Sequence, residues 1–151
     1  MKKIMFVCLG NICRSPMAEF VMKELVEKEG VAHLFEIASA ATCSDELGNP
    51  VYPPVRKLLS ERGISTDGKT AVRLQKSDYE EYDYFVGMDS NNRRSMLRLF
   101  DNDPLGKVSL LMDYTEHPRD VADPWYTRDF KATERDVDEG CAKLLSHILN
   151  K

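Results

Sequence analysis

Along the chain, short apolar runs alternate with stretches in which apolar residues recur every third or fourth position. Ile4-Met5-Phe6-Val7-Cys8 is a continuous apolar run, as expected of a strand buried on both faces. Leu9 to Arg14 reads as a loop, and Ser15-Pro16 as a helix start, with Ser15 as N-cap and Pro16 tolerated in the first turn. Met17, Phe20, Val21, Leu25 and Val26 then follow helical spacing, and Gly30 closes the helix. Further strands are predicted at Phe35–Ser39, Tyr84–Met88 and Val108–Met112. A short helix is marked by Val55, Leu58 and Leu59, and another runs from about Asn91 to Leu99. The last helix carries Val137, Cys141, Leu144, Leu145, Ile148 and Leu149 on one stripe. Two long loops, Thr42–Pro54 and Asp113–Thr127, separate these pieces. Alternating strands and helices predict a single α/β domain over residues 1–151. Right-handed crossovers give an open doubly wound sheet of four parallel strands, in the order 2-1-3-4. Ligands in such sheets bind at the carboxyl ends of the strands near the switch point, where the loop after Cys8 begins if strand one is central.

Composition narrows the function classes. With 151 residues, 42% hydrophobic and 30% charged, the chain is an ordinary globular domain able to build a core. A net charge of -4 argues against a general nucleic-acid binder, which would show a basic face. The first apolar run is too short for a membrane span or a signal-peptide core, so the expected location is cytoplasmic, with no membrane partner. Four cysteines (Cys8, Cys13, Cys43 and Cys141) form no C-x-x-C pair, and His33, His117 and His147 lack zinc-ligand spacing. No metal or cofactor is expected. Cys43 and Cys141 read as structural.

The chemistry concentrates in Cys8-Leu9-Gly10-Asn11-Ile12-Cys13-Arg14-Ser15. Gly10 and Asn11 tolerate left-handed backbone angles, so the loop can turn successive N–H groups into an anion nest. The following helix adds its free N–H groups and positive dipole end. That field and the adjacent Arg14 favour a thiolate at Cys8, and Arg14 offers a planar fork for two phosphate oxygens. Ser15 can donate its hydroxyl to the same sulfur. A bare C-x5-R pattern is weak; the buried strand before it and the Ser-Pro helix start after it make it specific. The plainer reading is a strand-end cysteine and a surface arginine.

The segment Val7 to Pro16 resembles the signature of the low-molecular-weight protein tyrosine phosphatases. The resemblance covers nearly the whole chain, including Ser39-Ala40-Ala41-Thr42, Asp83-Tyr84, Met88-Asp89 and Asp123-Pro124-Trp125-Tyr126. It implies Cys8 as nucleophile, Arg14 as phosphate clamp, Asp123 as general acid and then base, and Asn11, Ser15 and Ser39 as loop support. It implies a phosphotyrosine protein as substrate, inorganic phosphate as product, and a monomer or weak homodimer. Asp113, Asp120 and Asp129 are rivals for the acid role that spacing does not exclude. Trp125 and Tyr126, with Leu9 and Ile12 opposite, would wall a slot for a phenyl ring; the alternative is packing or a hinge. Cys13 is either a buried small residue or a reversible disulfide partner for Cys8.

The chain departs from the resembled pattern in three places. A histidine that often supports the loop is missing, with Lys69-Thr70 near its place. Asp45 stands on the expected pocket rim, where it would favour basic residues beside the phosphotyrosine. Trp125 replaces a common tyrosine. A related branch hydrolyses phosphoarginine and carries threonine before the second loop cysteine, where this chain has Ile12. The remaining alternative is an inactive phosphotyrosine-binding module.

Overall fold

The computed structural model describes residues 1–150. Its sheet has four parallel strands: β1 (Lys2–Cys8), β2 (Phe35–Ala41), β3 (Tyr84–Gly87) and β4 (Val108–Leu110), ordered β2-β1-β3-β4. The helices are α1 (Arg14–Lys28), α2 (Pro53–Glu61), α3 (Asp78–Glu81), α4 (Ser90–Leu99), α5 (Pro124–Thr127) and α6 (Phe130–Leu149). The expected sheet order and central β1 are thus observed. No helix among the described residues is long and apolar enough to cross a membrane.

Strand alternation divides the core in two. Ile4, Phe6 and Cys8 face the larger cluster, with Met17, Val21 and Met22 of α1 and Val137, Cys141 and Leu144 of α6. Met5 and Val7 face the other side, with Phe85, Met96 and Phe100. The continuous apolar run follows from this, because β1 has no solvent face. Two glycines allow close packing, of α4 on β3 and of α6 on Leu111 just after β4. A Cβ at Gly87 would lie 2.9 Å from Met96 Cε, and one at Gly140 only 2.4 Å from Leu111 Cγ.

The structure corrects several local expectations. α1 starts at Arg14 and has no side-chain cap; Ser15 lies inside the first turn, its hydroxyl 2.9 Å from Cys8 Sγ. β4 stops at Leu110, because Leu111–Tyr114 winds into a 3-10 turn held by Asp113 Oδ2 accepting from the Leu110 N–H. The one-turn helix α5 falls within the stretch read as loop, and α3 lies in a stretch to which the sequence assigned no element; both are too short for an apolar period to mark them.

Candidate active site

The site grows from the end of β1. Cys8 pairs in register with Ala41, and the alignment continues past both strands: Thr42 N–H donates to Cys8 O and Cys43 N–H to Leu9 O. Chain 69–74 lies beside β2, with Ala41 N–H donating to Val72 O and Leu74 N–H to Ala41 O. Asn11 turns the loop with φ of 60°, while Gly10 does not take a positive φ. A Cβ at Gly10 would make a tight contact with Glu46 Cγ at 3.3 Å, so the side chain of Glu46 lies close over the loop there.

The loop is braced from inside. Asn11 N–H donates to Cys8 Sγ at 3.3 Å. The Asn11 amide nitrogen donates to Ser15 Oγ at 2.8 Å and Ser39 Oγ at 3.0 Å, and its oxygen accepts from Val72 N–H at 3.1 Å. By contrast, the backbone N–H groups of Gly10, Ile12, Cys13 and Arg14 find no acceptor among the described residues. Unpaired N–H donors beside a helix N-terminus make an anion site.

Arg14 is 2% exposed. Its Nη1 donates to Asp89 Oδ2 and to Val121 O, both at 2.8 Å, and its Nη2 to Asp123 Oδ2 at 3.4 Å. Burial opposes its charge, but Cys8, the Asp89 hydrogen bond and Asp123 outweigh burial and hold it above its ordinary range. Burial, then Cys8 and Asp123, pushes the Cys13 thiol up to about 12. Cys13 is therefore a neutral thiol at physiological pH. All four cysteines are free.

Asp123 is brought to the site by the long loop after the 3-10 turn. Val121 N–H donates to Met88 O while Val121 O accepts from Arg14, so the segment before Asp123 is clamped on both sides. Asp123 caps α5 by accepting from Trp125 N–H at 3.0 Å, with extended backbone, as favoured before proline. The rival aspartates are occupied elsewhere: Asp113 with Arg93 and Leu110, Asp120 with Ser90, Asp129 as the cap of α6. None of the three lines the cleft that holds Cys8, Arg14 and Asp123.

That cleft brings Trp125 and Tyr126 together with Leu9, Ile12 and Asp45. Cys43, read from sequence as structural, is half-buried and lines it too, because the extended β1–β2 register delivers it beside Leu9. Cys141 is fully buried in the core. Sequence reading gave no role to Asp89, Glu46 or Tyr52. Asp89, quoted there only within Met88-Asp89, holds Arg14 and caps α4, and the Asn three residues on is the local signal of that cap. Tyr52 backs Trp125, ring centroids 4.9 Å apart. Among the described residues no cluster of three His, Cys, Asp or Glu side chains is placed to hold a metal ion.

Comparison with known proteins finds relatives over nearly the whole chain. The family model described as low molecular weight phosphotyrosine protein phosphatase matches residues 3–151. The low molecular weight protein-tyrosine-phosphatase YfkJ of Bacillus subtilis (strain 168) is 35% identical over 150 residues, covering 98% of this chain and 96% of that protein. The crystal structure of YfkJ aligns with a TM-score of 0.96, over 99% of this chain and 96% of the other. SP-PTP, a low molecular weight protein tyrosine phosphatase from Streptococcus pyogenes, is 39% identical with a TM-score of 0.86, covering 97% and 93%. Fold and site together define a single-domain α/β protein with a strand–loop–helix carrying unpaired N–H groups at the carboxyl edge of a parallel sheet. The chain belongs to the low molecular weight phosphotyrosine protein phosphatase family.

Proposed function

We propose that this protein hydrolyses phosphotyrosine in protein substrates through a phosphocysteine intermediate on Cys8. The observation that carries the reading is one cleft uniting a cysteine, a buried arginine, a run of free backbone N–H groups and a partly exposed carboxyl group. Phosphoryl transfer asks mainly for positioning and charge stabilisation, which this loop is built to give. The Cys8 thiolate attacks phosphorus in line, forming an S–P bond as the P–O bond to tyrosine breaks. Arg14 and the loop N–H groups hold the equatorial oxygens. Asp123 gives its proton to the departing tyrosine oxygen. Water then attacks the phosphocysteine, Asp123 takes the proton, and phosphate leaves with the thiolate restored. The cleft is lined by Trp125, which Tyr52 backs, by the exposed Tyr126 and by Leu9 and Ile12, an apolar set suited to the faces of a flat ring. A slot of this kind favours phosphotyrosine over the shorter phosphoserine.

The test is hydrolysis of para-nitrophenyl phosphate near pH 6 with a chelator present, for wild type, Cys8→Ser and Asp123→Asn. The reading expects turnover lost in Cys8→Ser and strongly reduced in Asp123→Asn. Peptides carrying phosphotyrosine, phosphoserine or phosphoarginine then define the substrate. Equal turnover of phosphoserine would refute the slot, and preferred turnover of phosphoarginine would move the protein to that branch. Phosphate binding without turnover would identify a binding module.

A further inference from the structure

The catalytic cleft does not end at its rim. Leu9, Arg14, Asp123 and Tyr126 line it, and the same residues line a second depression on the side toward α4. That depression runs on past Thr42 and Ser95, which it shares with a third one bounded by Arg73 and Arg98. Shared walls join the three into one groove leading away from the reacting centre.

Helical spacing builds one wall of the groove. Asn91, Ser95 and Arg98 recur at the interval that puts them on one face of α4. The cap of this helix, Asp89, holds Arg14, so α4 starts at the phosphate clamp and carries Arg98 in its last turn. From Asn91 to Arg98 the helix rises about 10 Å. The other wall is the segment after β2 and the chain beside it. Thr42 lines the groove, whereas Cys43, Asp45 and Glu46 line the catalytic cleft, so this segment divides the two. Arg73 comes from the chain that pairs with Ala41.

Charge distinguishes the far end of the groove. Asp89 and Asp123, at its start, are both paired with Arg14. Arg73 and Arg98, at its end, are exposed, and among the described residues neither has a carboxylate within ion-pair distance. Arg93 on the same helix, by contrast, is paired with Asp113. Arg73 Nη1 donates to Ser44 Oγ at 2.6 Å, which leaves the rest of its fork free. The helix dipole accounts for a cation in the last turn of α4, but not for a second guanidinium arriving from position 73. Leu74 and Leu99 line the same end, so a counter-charge there borders apolar surface and is less screened than in open water.

We infer that this groove is a subsite for an acidic side chain of the substrate, bound by Arg73 and Arg98. An extended chain advances about 3.3 Å per residue, which places that side chain about three or four residues from the phosphotyrosine. The groove leaves the centre in one direction, so the preference belongs to one side of the phosphotyrosine. Asp45 and Glu46 lie across the dividing segment, and a basic residue that they favour occupies a different position in the peptide. The inference rests on the phosphotyrosine reading and narrows its substrate class.

The test uses peptides with one phosphotyrosine among alanine and glycine, carrying two Glu, two Gln or two Lys at the third and fourth residues on its amino or its carboxyl side. Wild type should favour Glu over Gln about fivefold in kcat/KM on one side only, the scale of an exposed ion pair. The gain should lie in KM with kcat unchanged, because the contact is remote from the bond that breaks, and it should shrink as salt rises. Arg73→Gln combined with Arg98→Gln should abolish the preference while leaving turnover of para-nitrophenyl phosphate within about twofold of wild type. Arg73→Glu combined with Arg98→Glu should turn the preference toward Lys, which a merely structural role for the arginines would not produce. Equal rates on Glu, Gln and Lys peptides, the same preference on both sides, or a preference that survives both substitutions would overturn the inference and leave the phosphatase reading standing. No turnover of any phosphotyrosine peptide would sink that reading, and the inference with it.

Discussion

Replacing Asp89 with asparagine separates charge from shape in the arrangement that holds Arg14. In the native site Asp89 Oδ2 accepts from Arg14 Nη1 at 2.8 Å while Oδ1 accepts from Asn92 N–H at 2.8 Å. An amide has the same outline but only one acceptor. With its oxygen on Asn92, its NH2 group faces the guanidinium, donor against donor. With the amide turned, the cap of α4 is lost instead. Two unit charges about 4 Å apart interact by about 4 kcal/mol at an effective dielectric near 20. Arg14 keeps Val121 O and Asp123 as partners, so the expected net loss is about 2–3 kcal/mol of folding stability. Asp89→Ala, which also removes the cap, should cost about 1 kcal/mol more. Urea unfolding measures both. Catalysis should suffer as well, because the guanidinium, released from Asp89, has Asp123 as its remaining carboxylate partner and is drawn toward the proposed acid. A displaced clamp should lower kcat on para-nitrophenyl phosphate by about 10- to 100-fold. If Asp89→Asn unfolds within about 0.5 kcal/mol of wild type and keeps kcat within about twofold, Arg14 is not held by this charge and the reasoning fails.

Other outcomes follow from separate parts of the molecule. Gly140→Ala improves helix propensity but drives a methyl group into Leu111, so it should destabilise by about 1–3 kcal/mol in thermal or urea unfolding; a neutral or stabilising result would show that Leu111 moves aside freely. Stability should fall as pH rises from the ordinary thiol value of 9.0 toward 12, because the unfolded chain releases the Cys13 proton near 9 while the folded chain, which buries the thiol beside Cys8 and Asp123, holds it. Cys141, raised by burial, acts in the same direction, so Cys13→Ala should flatten the alkaline limb of unfolding free energy against pH only in part, and an unchanged limb would contradict the burial argument. Asp45 is exposed on the cleft rim beside Glu46, and wild type should prefer phosphotyrosine peptides with flanking basic residues. Asp45→Lys should reduce or reverse that preference in kcat/KM; equal rates on acidic and basic peptides would remove Asp45 from specificity.

The order of residues along the chain was enough to determine the sheet and to mark out the Cys8–Ser15 loop, because both are written in local sequence. A two-sided apolar run such as Ile4–Cys8 has few places to lie except inside a parallel sheet, and the loop's chemistry is contained within eight consecutive residues. Asp123 was legible only through its motif, since spacing left three rival aspartates open and their other hydrogen-bond partners appear only in the folded chain. Tertiary structure alone decided the rest. Asp89 and Asp123 converge on Arg14 from positions 75 and 109 residues away. Lys69 reaches Ser39 from 30 residues away, and Cys43 enters the cleft because strand register carries past the strand ends. None of these side chains sits in a periodic pattern, and a partner for a buried charge is chosen by which backbone segments pack side by side. That choice is made by the whole core, and no window of sequence contains it.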